Sequence, residues 1–329
     1  MAGQKTSERE QYLELIHSPA DLACETVAWA ERILNTPGVP FGIREVDAKM
    51  NPMHPGDLVV ICGRPGHGKT SLLATLARAE ALRIIERGTT NEVVLYVTWE
   101  QVAEEINLIL DVNRNYQAVS VMRGEVGIEA IRKQAIQRVK LPIWILGNSI
   151  ARTSVKSLRM FPDVVCRAIE QAVEEKEIKP TLLLFDYVQI IPTRNVDEKV
   201  LQVSVAAEQV KEVALRVGCP GVVAAQARRE TDDREWKVPT IRDAQWASAI
   251  EQVTDKFFGV WRPWLTDREK PPINVSGTSY PITEELFILE LSKQRFGEAG
   301  MRWGMHFQPR DLHLCAIEGK RREPAGLVF

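Results

Sequence analysis

The chain has 329 residues, with 42 lysines and arginines against 44 aspartates and glutamates, and a formal net charge of −2. That balance excludes a strongly basic nucleic-acid coat protein, although a local basic groove can form on a neutral chain. With 45% hydrophobic and 26% charged residues it reads as an ordinary globular protein, of roughly two domains by length.

No run nears the roughly 18 apolar residues of a membrane span, and the opening MAGQKTSEREQYLEL has no signal-peptide core. A soluble, cytoplasmic protein without a membrane partner is expected. Cys24, Cys62, Cys166, Cys219 and Cys315 are scattered and form no C-x-x-C. They read as buried small hydrophobes in a reducing compartment. The histidines are equally dispersed, so no structural zinc site is expected.

In chain order, Pro19 to Leu34 forms an amphipathic helical pattern closing near Asn35-Thr36-Pro37-Gly38. It stands outside any strand alternation, so it either caps its own domain or reaches a neighbour. Leu58 to Cys62 is a continuous apolar run that predicts a buried strand. Gly63-Arg64-Pro65-Gly66-His67-Gly68-Lys69-Thr70 follows and matches G-x-x-x-x-G-K-[ST] without deviation. A helix from Ser71 to Arg87, stopping before Gly88, completes the strand–loop–helix context. Such a loop curves backbone N–H groups around phosphates. Lys69 would reach the β- and γ-phosphates, and Thr70 would ligate Mg²⁺. The chain is therefore expected to bind a nucleoside triphosphate through Gly63 to Ser71.

Val93 to Val97 predicts a second strand, with Glu100 just beyond its end, where a carboxylate can activate water or simply be a helix N-cap or a surface acid. Ile143 to Leu146 is a third. A helix over Asp163 to Lys176 precedes Leu182 to Phe185, a strand closed by Asp186. Ligands of open α/β sheets sit at such carboxyl ends, and Asp186 can hold the Mg²⁺ shell. A helix over Val203 to Val217 leads to Val222 to Ala225, with Gln226 at its end as a γ-phosphate sensor. This alternation implies a mostly parallel sheet flanked by helices.

The end of the chain changes character. Phe257 to Trp261, Leu286 to Leu291, Trp303 to Phe307 and Leu312 to Ile317 read as strands without helices between them, an antiparallel ribbon. Pro271-Pro272, Gly277 and Pro281 predict a loop in the middle of this region. Glu318 to Phe329 reads as a frayed tail.

Taken together these motifs resemble the ATPase domain of DnaB-type replicative helicases, within the RecA-like group, over about residues 20 to 310. Met53-His54-Pro55-Gly56-Asp57-Leu58 is similar to that family's entry into its first strand. Thr98-Trp99-Glu100 stands where the family carries its catalytic glutamate. Asp186-Tyr187-Val188-Gln189 resembles its Walker B segment, and Ala225-Gln226 its sensor glutamine. Ala249-Ile250-Glu251-Gln252, with Asp255 after it, resembles the segment before the next strand. Lys293-Gln294-Arg295-Phe296-Gly297 matches an element that in the family inserts a lysine and an arginine finger into the neighbour's nucleotide site.

The resemblance implies a RecA-like α/β P-loop NTPase over residues 46–317, preceded by a segment 1–45 whose helix docks on the adjacent protomer. It implies a homo-hexamer, ring or filament that binds ATP and Mg²⁺ between protomers and moves on single-stranded DNA, with a loader or other protein partner. Glu100, Asp186, Gln226, Lys293 and Arg295 would be catalytic. Loops facing the ring centre, with Arg194, Lys199, Arg228, Arg229 and Gln245, Trp246 and Ser248, would meet phosphates.

Two departures stand out. Residues 1–45 leave no room for the family's collar-forming N-terminal domain. Gln245-Trp246-Ala247-Ser248 replaces the usual Arg-Glu-Ser-Gly of a DNA-contacting loop, where Trp246 would have to stack on a base instead. A rival reading, similar to KaiC or RadA, is an ATPase whose nucleotide-driven assembly is read by a protein partner. A small-molecule kinase shares the phosphate loop but leaves Lys293-Gln294-Arg295 without a purpose.

Overall fold

Alternation along each strand decides which face of the sheet a side chain serves. In β1 (Leu58–Gly63), Val59 and Ile61 join one apolar cluster, whereas Leu58, Val60 and Cys62 join another on the opposite face. The first cluster takes Leu72, Leu73, Leu76 and Ile84 from α3 (Lys69–Arg87), which follows β1. The second takes Val165 and Ile169 from α7 (Pro162–Lys176) and Val203, Val210 and Val213 from α8 (Lys199–Val217). A sheet covered on both faces explains why its strands read as unbroken apolar runs.

The computed structural model describes residues 13, 16–36, 38–111, 117–152, 159–194, 196, 198–244, 247–310 and 312–317. The predicted tail 318–329 lies outside them. Residues as far as Gly38 form one unit and the rest of the chain another. In the first, α1 (Pro19–Asn35) opens with Ser18 as N-cap, whose hydroxyl accepts from Asp21 N–H while the Asp21 carboxylate accepts from Ser18 N–H. None of its residues is buried in the unit, and Cys24 is exposed rather than buried as expected. Cys62, Cys166 and Cys219 are buried.

In the second unit, α2 (Arg44–Asp47) precedes β1 and α3. There follow β2 (Glu92–Thr98), α4 (Ala103–Asp111), α5 (Ala118–Met122), α6 (Ile128–Arg138), β3 (Ile143–Leu146), α7, β4 (Lys179–Asp186), α8 and β5 (Gly221–Gln226). The C-terminal part contributes α9 (Ala247–Val253), β6 (Lys256–Trp261), α10 (Trp264–Asp267), β7 (Ile273–Val275), β8 (Thr278–Tyr280), β9 (Leu286–Gln294), β10 (Met301–Gln308) and β11 (His313–Ala316). Nine strands form one sheet in the order β11-β10-β9-β6-β1-β5-β4-β2-β3. β6 through β3 run parallel, and β9, β10 and β11 extend the sheet antiparallel. The fold is the expected RecA-like α/β architecture with an antiparallel ribbon.

Two local expectations need correction. The one-turn helix α10 interrupts the C-terminal strands. The Pro/Gly-rich stretch is a β7–β8 hairpin rather than a loop, turning at Ser276 and Gly277 with φ of 52° and 89°. Both φ values are positive, as a two-residue hairpin turn of type I′ requires. Asn274 Oδ1 accepts the Gly277 N–H at 3.0 Å and secures the turn. Among the described residues no helix is long and apolar enough to cross a membrane.

Candidate nucleotide site

Parallel pairing sets the carboxyl ends of six strands along one edge. Gly63 of β1 is paired with Gln226 of β5, and Thr98 of β2 with Asp186 of β4. The phosphate loop, Glu100, Asp186 and Gln226 thus meet because the strands that carry them are neighbours in register. No sequence spacing brings them together.

The loop is shaped by its glycines. Gly68 holds φ at 85° as the N-cap of α3, a conformation that disfavours other residues. At Gly63 a Cβ would sit 2.5 Å from Val260 Cγ2, so only glycine lets β6 approach. Arg64 turns back, donating from Nε to Asp232 Oδ2 at 2.9 Å and from a terminal nitrogen to Ala227 O at 3.2 Å. Pro65 and Gly66 are exposed, and Ser71 is buried in the first turn of α3.

His67 is buried, and its Nδ1 accepts the Arg262 N–H at 3.2 Å. Burial holds its pKa down at about 4, so the ring is neutral near pH 7. Arg262 also reaches Gly66 O at 3.4 Å and lies 4.5 Å over the Phe307 ring. It closes one flank of the loop. The sequence reading missed it, although its place just after β6 obeys the same strand-end rule as Asp186.

Lys69 Nζ donates to Gly63 O at 3.0 Å and to Arg64 O at 3.1 Å. Burial lowers its pKa from the ordinary lysine value, against the pull of the Asp186 and Glu100 carboxylates. Thr70 Oγ1 donates to Asp186 Oδ2 at 2.9 Å, and Tyr96 Oη donates to the same oxygen at 2.9 Å. Asp186 is buried, which raises its pKa, while the Thr70 and Tyr96 hydrogen bonds and the Lys69 charge oppose that shift. A buried carboxylate beside a threonine hydroxyl, at the head of a phosphate loop, fits Mg²⁺, which prefers oxygen donors and phosphate partners.

Glu100 sits on a braced turn. Trp99 N–H donates to Asp186 O at 3.1 Å, its indole Nε1 donates to Met160 O at 2.7 Å, and its ring stacks on Phe185 with centroids 6.2 Å apart. Partial burial and the Asp186 charge raise the Glu100 pKa, with Lys69 opposing. That shift moves a carboxylate toward the working range of a general base. Gln189 bridges the ends of β4 and β5: its Oε1 accepts the Gln226 N–H at 3.1 Å and its Nε2 donates to Gln226 O at 3.3 Å.

Lys293 and Arg295 are not part of this cluster. β9 runs antiparallel to β6, so Gln294 is paired with Lys256, at the opposite edge of the sheet. Lys293 Nζ donates to Glu251 O at 2.7 Å, and Arg295 forms an ion pair with Asp255 at 3.2 Å. Asp255 in turn accepts the Leu58 N–H at 2.8 Å, at the start of β1, whereas the phosphate loop begins at its end. About 17 Å of strand lies between, at roughly 3.3 Å per residue.

Of the expected nucleic-acid contacts, Arg194 is exposed but engaged: it bonds both Asp163 carboxylate oxygens at 3.3 and 3.1 Å and lies 4.1 Å over Phe161. Arg228 and Arg229 are exposed directly after β5. Lys199 opens α8 and Ser248 lies in α9. Gln245 and Trp246 lie outside the described residues.

Comparison with known proteins agrees with this geometry. Residues 38–311 match the model of the DnaB-like helicase C-terminal domain family. The chain is 23% identical over 278 residues to the replicative DNA helicase DnaB of Leifsonia xyli subsp. xyli, covering 81% of this chain and 56% of the relative. It is 26% identical over 270 residues to the replicative DNA helicase DnaC of Bacillus subtilis, covering 80% and 53%. The chain thus spans about half the length of these curated relatives. Among solved structures, the ATPase domain of G40P superposes with a TM-score of 0.71 at 18% identity, covering 92% of this chain and 100% of the other. A DnaB-like replicative helicase, described with its interactions with primase, gives 0.70 at 19% identity, covering 92% and 68%. By the match over most of its length, the chain belongs to the DnaB-like helicase C-terminal domain family and carries its ATPase fold.

Proposed function

We propose that this chain hydrolyses ATP at interfaces between copies of itself and uses the cycle to move on single-stranded DNA, as a hexameric ring of the DnaB type. The observation that carries the reading is the distance between its two halves of chemistry. Arg295 is bound at the start of β1 and the phosphate loop opens at its end, so Arg295 cannot serve the nucleotide of its own protomer. A copy placed edge to edge brings the one to the other.

In this reading the loop N–H groups and the α3 N-terminus take the phosphates, and Lys69 leaves its loop carbonyls to pair with the β- and γ-oxygens. Thr70 and Asp186 would hold Mg²⁺, which would supply charge neutralisation on the phosphates. Glu100 takes a proton from the attacking water. Gln226 senses the γ-phosphate, and Gln189 passes that position to the end of β4. Lys293 and Arg295 of a neighbour stabilise the charge that develops on transfer.

Arg194 and Lys199 follow β4 in the chain and Arg228 and Arg229 follow β5; with residues 245–248 they are the proposed DNA contacts. Phosphate would have to replace Asp163 on Arg194. The test is salt-dependent binding to single-stranded DNA with a non-hydrolysable ATP analogue. Affinity that falls steeply with salt supports the reading. Nucleotide-driven assembly with no DNA binding would instead fit an assembly switch read by a protein partner.

A further inference from the structure

Tyr96 is a fully buried tyrosine in the middle of β2, where it lies among Val93, Val94, Leu95 and Val97 between a glutamate at one end of the strand and a threonine at the other. A phenylalanine would fill the same space without desolvating a hydroxyl, and a buried phenol needs a hydrogen-bond partner. Tyr96 finds its partner 90 residues away, in Asp186 Oδ2 at 2.9 Å. The register explains the reach. Tyr96 is paired with Leu184 and Thr98 with Asp186, so Tyr96 lies one pleat before the carboxylate on the adjacent strand. Its ring packs in the apolar cluster that holds Leu72 and Leu73, on the face of α3, whose first turn carries Thr70.

Two hydroxyls therefore converge on one oxygen of Asp186. Among the described residues no hydrogen bond reaches the other oxygen, Oδ1. We propose that Tyr96 is a positioning residue for the cation site, holding Asp186 by Oδ2 so that Oδ1 is presented to the Mg²⁺ shell. The inference rests on reading Thr70 and Asp186 as that site. Thr70 would be shared with the cation, whereas the Tyr96 hydroxyl makes no other hydrogen bond among the described residues. Without its hydroxyl the carboxylate keeps one donor and turns more freely about its last torsion. Groups that orient a metal-site carboxylate commonly influence metal affinity on the order of tenfold or more.

The test is Tyr96→Phe, which preserves the ring and its packing. Binding of a fluorescent ATP analogue is followed while Mg²⁺ is titrated, and again in EDTA. The Mg²⁺ half-saturation point is expected to rise about tenfold, with nucleotide affinity in EDTA unchanged. Saturating Mg²⁺ should return kcat to the wild-type value. An unchanged half-saturation point overturns the proposal. So does an equal loss of nucleotide affinity with and without Mg²⁺, which is the mark of a merely structural residue. If the wild-type protein binds the analogue with no dependence on Mg²⁺, the reading of the cation site itself fails.

Discussion

Arg295 pairs with Asp255 at 3.2 Å, at the edge of the sheet opposite the phosphate loop. Asp255 is buried and also holds the Leu58 N–H and the Lys211 ammonium. Leu58 and Lys211 both hold Asp255 Oδ2, and Arg295 reaches Oδ1 from a side chain that is itself half-exposed. A pair of this kind adds little stability, about 1 kcal/mol or less. Arg295→Ala should unfold at nearly the wild-type denaturant midpoint and bind ATP nearly normally, yet hydrolyse it poorly. A large loss of stability would show that the guanidinium serves the fold.

The nucleotide chemistry separates into binding and turnover. Lys69→Ala removes the charge that pairs with the phosphates and should abolish tight ATP binding. Glu100→Gln should leave binding intact while lowering turnover on the order of a hundredfold or more. Rapid hydrolysis by the glutamine variant would assign the attacking water to another group.

His67 predicts a pH dependence with a definite sign. Its folded pKa of about 4 lies below the ordinary 6.5, so between these values the unfolded chain binds more protons. Stability is complete above pH 6.5 and falls as the pH drops toward 4, by up to about 3 kcal/mol from this group. Asn in its place can still accept the Arg262 N–H but does not titrate. Urea unfolding at pH 7 and pH 4.5 should show a smaller loss for His67→Asn than for wild type. Equal losses would place the acid sensitivity elsewhere.

The exposed helix α1 bears on assembly. Deleting residues 1–36 should leave a folded ATPase unit that forms rings less readily with ATP and Mg²⁺, read by sedimentation velocity. An unchanged assembly removes the docking role, and an insoluble product assigns the helix to its own domain.

How much was legible in the sequence follows from the range of each interaction. The strand from Leu58 to Cys62, the loop behind it and the helix that stops at Gly88 are local patterns, and the structure places them as read. Glu100, Asp186 and Gln226 are proposed from one rule, that chemistry sits at the carboxyl ends of parallel strands, and the register sets those ends side by side. What could not be read depends on strand order. Tyr96 reads as an ordinary strand former until β2 and β4 are known to be neighbours. The separation of Arg295 from Lys69 needs the antiparallel sense of β9 against β6. The β7–β8 hairpin was missed because its three-residue strands are too short to show a period, and prolines and a glycine dominate the segment.

The composite site is tested most directly by mixing two inactive variants. Arg295→Ala protein keeps an intact phosphate loop but offers no finger, and Lys69→Ala protein offers a finger but has no loop. Where the two meet in the right order, one complete site forms. ATPase activity should appear in the mixture that neither variant shows alone, in proportion to the mixed interfaces counted by native mass spectrometry. Mixed rings that remain inactive would contradict a finger supplied by the neighbour.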